Sequence, residues 1–282
     1  MPGDLHCHSR ISDGSLGLEE VITLAAKSGL KYLSITDHDT FAGVQRAVLI
    51  GNRMGVTIIP GIELSTFNYK TNKKVHLLAY LCDLPDRLER ICKQTSDSRK
   101  QAANKMVGRL LREYPLPVDM IVKRSAGSTN FYKQHIMHAL MEAGYTTQIF
   151  GPLYQELFGK DGKFLVEPEY PDTFEVIDEI KSACGISVLA HPPVYNTIDD
   201  IDSLVAAGLD GLEVFHPRHT AEQSQLLQGI ANKHNLLLTG GSDFHGMYNF
   251  SANIIGSVTV PDEMVLALNS YKKKLMKNAK AI

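Results

Sequence analysis

His6 and His8 stand one residue apart in Asp4-Leu5-His6-Cys7-His8, close to the start of the sequence. Side chains of an extended segment alternate faces, so the two imidazoles project to the same side. Two imidazoles on one face make half of a metal site before any long-range contact forms. Further metal-competent side chains end apolar, strand-like runs in Thr36-Asp37-His38-Asp39, Gly61-Ile62-Glu63, Val75-His76, Ala190-His191-Pro192 and Ser242-Asp243-Phe244-His245. With Asp13, the candidate ligands are His6, His8, Asp13, His38, Glu63, His76, His191, Asp243 and His245. A tetrahedral zinc takes four ligands and an octahedral ion about six, so this set calls for at least two ions. Glu63 is the natural bridge, because its two oxygens can serve neighbouring ions. Paired ions clamp both the attacking and the leaving oxygen of a phosphoryl transfer and acidify water. Mixed imidazole and carboxylate donors suit Zn, Mn or Fe better than Ca.

Each residue also has a plainer role open to it. A lone His76 in a strand or His191 before a proline is commonly a hydrogen-bonded core histidine. Asp37 and Asp39 read either as helix caps or as groups that orient a ligating histidine. His138, His219 and His234 read as ordinary helical or surface histidines. The metal reading rests on the set.

Apolar runs alternating with amphipathic helical patterns must carry these residues. Strands are expected at 5–8, 32–36, 56–64, 74–81, 186–190, 211–215 and 236–239, with a short last one at 253–258. Helices are expected at 18–29, 41–54, 173–183, 198–207, 221–234 and 262–280. This rhythm predicts crossover connections, a mainly parallel sheet and a barrel of about seven βα units, with its chemistry at the carboxyl ends of the strands. Between residues 83 and 170 the rhythm breaks. The chain there is charged and helical from Asp86 to Tyr114, turn-rich around Pro115, Pro117 and Gly127, and helical again over 131–143. We read this stretch as a helical insert in a main domain formed by 1–82 and 171–282; an elaborate cover for the core is the other reading.

The composition sets bounds. A net charge of -2 gives no basic footprint for a long nucleic-acid surface, but bound metal would still accommodate a small phosphorylated substrate. Cys7, Cys82, Cys92 and Cys184 are scattered without a Cys-x-x-Cys pair, which suggests reduced thiols. No leader pattern or apolar run of membrane-spanning length occurs, so a cytoplasmic location is expected.

Taken together, Asp4 to Ser9 with Ser12-Asp13-Gly14, Thr36 to Asp39, Gly61 to Glu63, Ala190-His191-Pro192 and Ser242 to His245 resemble the motifs of the PHP (polymerase and histidinol phosphatase) superfamily. The match runs in order over essentially the whole chain, and the insert resembles that of stand-alone members acting on nucleotides. The resemblance implies a distorted (β/α)7 TIM-like barrel (the PHP fold) and two or three divalent ions. It implies one ion on His6, His8, Glu63 and Asp243, a second on Glu63, His76 and His191, and a third on Asp13, His38 and His245.

Lys133-Gln134-His135-Ile136 resembles a family segment usually reading Arg-Pro-His-Ile. His135 is then expected to contact the substrate phosphate or complete a metal shell, beside Lys133. His216, in Glu213-Val214-Phe215-His216-Pro217, is a candidate leaving-group acid or phosphate ligand, and Arg99 a further phosphate candidate. The implied activity is metal-dependent hydrolysis of phosphate esters of nucleotides: AMP, 3',5'-bisphosphate nucleotides or short single-stranded oligonucleotide ends. Histidinol-phosphate phosphatase and a non-catalytic binding module are the alternatives, and no membrane partner is expected.

Overall fold

The computed structural model describes residues 2–249 and 253–279. Its N-terminal part runs β1 (Gly3–Cys7), α1 (Leu18–Lys27), β2 (Tyr32–Ile35), α2 (Val44–Met54), β3 (Thr57–Ile58), β4 (Gly61–Asn68) and β5 (Lys73–Tyr80). Four helices follow: α3 (Glu89–Leu110), α4 (Val118–Arg124), α5 (Lys133–Glu142) and α6 (Pro152–Phe158). The α/β rhythm then resumes with α7 (Thr173–Ser182), β6 (Ile186–Leu189), α8 (Ile201–Ala206), β7 (Gly211–Phe215), α9 (Ala221–His234), β8 (Leu237–Gly240) and α10 (Asp262–Ala279). Local chemistry sets the ends. Asp172 caps α7 through the amides of Phe174 and Glu175, and Thr220 with Gln223 forms a capping box on α9.

The fold is α/β, but the strands form two sheets. One is parallel in the order β1-β2-β3; the other is mixed, β4-β5-β6-β7-β8, with β5 antiparallel to both neighbours. The mainly parallel sheet expected from the sequence is thus corrected at β5. A short turn with Asn72 at φ 56 joins β4 to β5, and a hairpin needs no crossover helix. The strand expected over 56–64 is split, because Pro60 has no N–H to give a ladder and the chain changes sheets there. The short strand expected over 253–258 is also absent. Gly256, at φ +76, turns the chain and donates its N–H to Asp4 Oδ2, and only Val260 bridges back to Gly3.

No continuously hydrogen-bonded barrel closes among the described residues. Isolated parallel bridges, Cys7 to Phe244 and His38 to Glu63, link the two sheets near the candidate ligands. The main core lies between β4–β7 and helices α7–α9, with Ile62, Leu77, Ile177, Leu189 and Leu212 fully buried. Helices α3–α6 contain no strand and share their own buried cluster around Met106, Ile136, Leu140 and Phe158. Tyr248, from the loop after β8, packs into that cluster and so joins it to the strand ends.

Candidate active site

All nine candidate ligands converge. His6 lies in β1 and His8 just beyond it, while His38 follows β2, His191 follows β6, and Asp243 and His245 follow β8. Glu63 and His76 do not end their strands as expected: Glu63 is third in β4, and His76 is in the middle of β5. The stagger explains the difference, since the start of β4 lies beside the chain leaving β2, where His38 bridges Glu63. Two backbone features bring the ends together. A Cβ on Gly241 would sit 2.4 Å from the His6 nitrogen, so only glycine lets the chain leaving β8 approach β1 this closely. His191 and Asp243 adopt positive φ (29° and 48°), a conformation costly for residues with a Cβ and typical of functional sites.

Four candidate ligand atoms form the centre. His6 Nε2 lies 3.2 Å from both His8 Nε2 and Glu63 Oε2, and 3.5 Å from Asp243 Oδ1. His8 Nε2 lies 3.1 Å from Glu63 Oε2 and 3.3 Å from Asp243 Oδ1. These five separations, all between 3.1 and 3.5 Å, are those of donors close enough to share one small cation. Glu213 decides which nitrogen is free: His6 Nδ1 donates to Glu213 Oε1 at 2.9 Å, leaving a lone pair on Nε2 facing other acceptors. Such a group of acceptors needs a cation, so the donor set fits a divalent ion.

The other oxygen of Glu63 faces a second group. Oε1 lies 2.7 Å from His76 Nδ1 and 3.0 Å from His191 Nε2. A third group surrounds Asp13, whose Oδ1 is 3.3 Å from His245 Nε2 and 3.5 Å from His8 Nδ1; Oδ2 is 3.9 Å from His38 Nε2. His38 Nδ1 lies 3.3 Å from Glu63 Oε2, so this group adjoins the first two.

Electrostatics point the same way. Burial opposes charge on Glu63, but His38, His76 and His6 hold its carboxyl well below the usual range. Burial likewise opposes ionised Asp13, and His245 and His38 overcome it. Burial works against a charged His8, yet hydrogen bonds to Asp243 and Glu63 raise its pKa to about 10. The carboxylates are thus ionised and favour positive charge beside them.

An outer layer fixes these groups. Glu213 Oε2 accepts the His191 N–H at 2.8 Å, so one carboxylate sets two candidate ligands. Asp4 accepts the backbone N–H groups of His6, Ser242 and Gly256. Asp37 neither caps a helix nor orients a histidine ring: it binds the amides and hydroxyls of Ser9 and Ser12, ordering the loop that carries Asp13. Asp39 accepts from the Ser65 amide and from Arg99. His138, His219 and His234 have partners away from the cluster, on Tyr248, the Val214 carbonyl and Asp202.

The ligands open into a cavity of about 980 Å³. Its walls carry Lys74, Arg99, Lys133 and Arg218, together with aromatic residues including Tyr132, Tyr170 and Tyr195. Lys74 escaped the sequence reading, although Lys74-Val75-His76 places it on the same strand face as His76. Its ammonium lies 5.1 Å and 5.4 Å from the Tyr170 and Tyr195 ring centres. Lys133 Nζ is 3.4 Å from Glu167 Oε1, and Arg99 is engaged by Asp39 and Ser65.

Neither His135 nor His216 is part of the cavity wall. His216 Nδ1 accepts the Arg218 N–H at 3.1 Å, so its proton sits on Nε2 and is donated to Asp243 Oδ2 at 3.2 Å. His135 is fully buried against Tyr132 and Tyr248; its Nδ1 accepts the Tyr132 N–H, and its Nε2 has no hydrogen-bond partner among the described residues.

Residues 4–185 match the family model of the PHP domain. The phosphoribosyl 1,2-cyclic phosphate 1,2-diphosphodiesterase of Eggerthella lenta is 35% identical over 87% of this chain and 94% of its own length. A 5'-3' exoribonuclease of Haemophilus influenzae is 28% identical over 86% and 89%. Among solved structures, a metal-dependent phosphoesterase from Bifidobacterium adolescentis aligns with a TM-score of 0.86 at 30% identity, covering 94% of each chain.

Proposed function

The chain belongs to the PHP domain family, and from that premise we propose that it hydrolyses phosphate esters of nucleotides with metal-activated water. The observation that carries this reading is the convergence of His6, His8, Glu63 and Asp243, with ligand atoms 3.1 to 3.5 Å apart, on a cavity with cationic walls. In this reading three divalent ions, of Mn, Zn or Fe, sit on the three groups expected from the resemblance. Bound there, they supply Lewis acidity at phosphorus oxygens and make water acidic near neutral pH.

The chain's own residues do the rest. Glu213 holds His6 with Nε2 deprotonated, and His216 turns Asp243 towards the same centre. Lys74, Lys133 and Arg218 offer charge to phosphate oxygens away from the cleaved bond, while Arg99, fixed by Asp39, stiffens the wall between Tyr132 and Tyr170. His135, fully buried one layer behind the wall, accepts the Tyr132 N–H and packs against Tyr132 and Tyr248, so its proposed role is to hold those two wall residues in place. The number of cationic groups favours substrates with a second phosphoryl group, such as a 3',5'-bisphosphate nucleotide or a 5'-phosphorylated oligonucleotide end, over AMP. The named activities of the two relatives, on a phosphoribosyl cyclic phosphate and on RNA, are compatible with that choice.

We take 83–170 as the helical insert that supplies one wall, and 1–82 with 171–282 as the main domain. The two bridges between the sheets support reading that domain as a distorted (β/α)7 TIM-like barrel. We place the protein in the cytoplasm; among the described residues no helix is long and apolar enough to cross a membrane.

The test is phosphate or nucleotide release by Mn-loaded protein from AMP, adenosine 3',5'-bisphosphate, a 5-phosphorylated ribose 1,2-cyclic phosphate, histidinol phosphate and a 5'-phosphorylated pentaribonucleotide. Chelator-sensitive turnover of a doubly phosphorylated substrate is expected. Turnover of histidinol phosphate alone, or of nothing on the panel, would overturn the proposal.

A further inference from the structure

We propose that Gln134, the second residue of α5, is a positioning residue for Asp13 and sets the metal affinity of the Asp13, His38 and His245 group. The inference rests on the reading above, in which that group holds an ion. Gln134 Nε2 donates to Asp13 Oδ2 at 2.9 Å, across 121 positions of sequence. Only the amide nitrogen can face the carboxylate, because a flipped Gln134 would set oxygen against oxygen.

The two Asp13 oxygens are divided between tasks. Oδ2 receives the Gln134 N–H and, among the described residues, no other hydrogen bond. Oδ1 takes a weak contact from Ser12 Oγ at 3.3 Å and otherwise faces His245 and His8. The terminal torsion of an aspartate is broad and two-fold, so an unheld carboxylate samples rotations that would turn Oδ1 away. A neutral amide removes that freedom without cancelling the charge that a cation requires. Groups of this kind, hydrogen-bonded to a ligand from outside, typically change metal affinity by roughly 10–100-fold.

Gln134 also belongs to a continuous grip of the helical segment on the Asp13 loop. Thr129 donates its N–H to the Ile11 carbonyl at 2.8 Å, and Ser128 Oγ donates to the Ser12 carbonyl at 2.5 Å. The segment 128–134 therefore holds 11–13 at backbone and side chain together, and Gln134 is its contact with the carboxylate itself. Docking of these helices and occupancy of the third group become one linked equilibrium.

The experiment is calorimetric titration of metal-free protein with Mn for the wild type, Gln134→Met and Ser128→Ala, after thermal melts establish that each is folded. Methionine keeps the length and removes the donor; Ser128→Ala loosens the loop without touching the carboxylate. In Gln134→Met the weakest Mn equivalent should lose roughly tenfold or more in affinity, with the others unchanged, while Ser128→Ala shifts it by less than about twofold. An unchanged isotherm for Gln134→Met overturns the proposal, and so does equal weakening in both variants, which would assign the effect to the loop. Wild-type protein taking up only two equivalents would remove the third ion and the inference together, leaving the hydrolytic reading standing; uptake of none would remove both.

Discussion

His6 is clamped between two buried carboxylates: its Nδ1 donates to Glu213 Oε1 at 2.9 Å, while its Nε2 lies 3.2 Å from Glu63 Oε2. The outer carboxylate fixes the tautomer and raises the basicity of the nitrogen that faces the centre. Glu213→Gln keeps the shape and removes the charge. It should lower Mn affinity by roughly 10–100-fold, measured by equilibrium dialysis, and lower the melting temperature of the metal-free protein as well, because one of the two N–H groups that Glu213 accepts then meets an amide N–H. Unaltered affinity would mean that Glu213 is only a structural partner.

Removing both imidazoles of the first strand tests the centre itself. The double variant His6→Ala, His8→Ala should lose the tightest Mn equivalent and all measurable turnover. Retained turnover would show that hydrolysis does not depend on this centre.

Lys74 is half-buried on the cavity wall, and no ion pair to it occurs among the described residues. Burial works against its charge, but the neighbouring Tyr170 and Tyr195 raise its pKa. A charge-assisted hydrogen bond contributes about 1.5–3 kcal/mol, so Lys74→Met should raise KM for a bisphosphate nucleotide roughly 10–100-fold. The effect on AMP should be smaller. Equal losses on both substrates would place Lys74 at the cleaved phosphate instead.

For His216, geometry separates two roles. Its Nε2–H is committed to Asp243 and its Nδ1 to a backbone amide. His216→Gln, which can still donate to Asp243, should therefore retain much more activity than His216→Ala. Were His216 the acid for the leaving group, both variants would be equally impaired.

His135 makes a prediction about pH. Burial lowers its pKa to about 4, against an ordinary value of 6.5. Between those values the unfolded chain binds the proton and the folded one does not, so this contribution to stability falls as the pH drops through 6.5 towards 4. At pH 5 the loss relative to pH 7 is about 2 kcal/mol. Metal-free His135→Gln, which keeps an acceptor for the Tyr132 amide, should show a flatter fall in melting temperature from pH 7 to 5. An identical slope in wild type and variant would contradict the assignment.

Much of this site was legible because strand alternation is local. His6 and His8 share a face for the same reason that Lys74 and His76 do, and the carboxyl-end rule located His38, His191 and Asp243. What could not be read depends on contacts distant in sequence. Nothing local marks Glu213 as the partner of His6, 207 positions away, or Gln134 as the partner of Asp13. The sheet was misjudged where a hairpin replaced a crossover, since the β4–β5 turn has no helix whose absence periodicity would flag. Asp37 and Asp39 had the right side chains for caps, but Ser9, Ser12 and Arg99 claimed them.

Hydrolysis by this chain is expected to depend on ions held by the converging ligand groups. The most direct test is adenosine 3',5'-bisphosphate hydrolysis by metal-free protein as Mn is added from zero to four equivalents. No release is expected without metal, with activity rising as the ligand groups fill, a plateau at three equivalents, and complete loss with chelator. Hydrolysis by metal-free protein, or full loading of the site with no hydrolysis, would contradict that dependence.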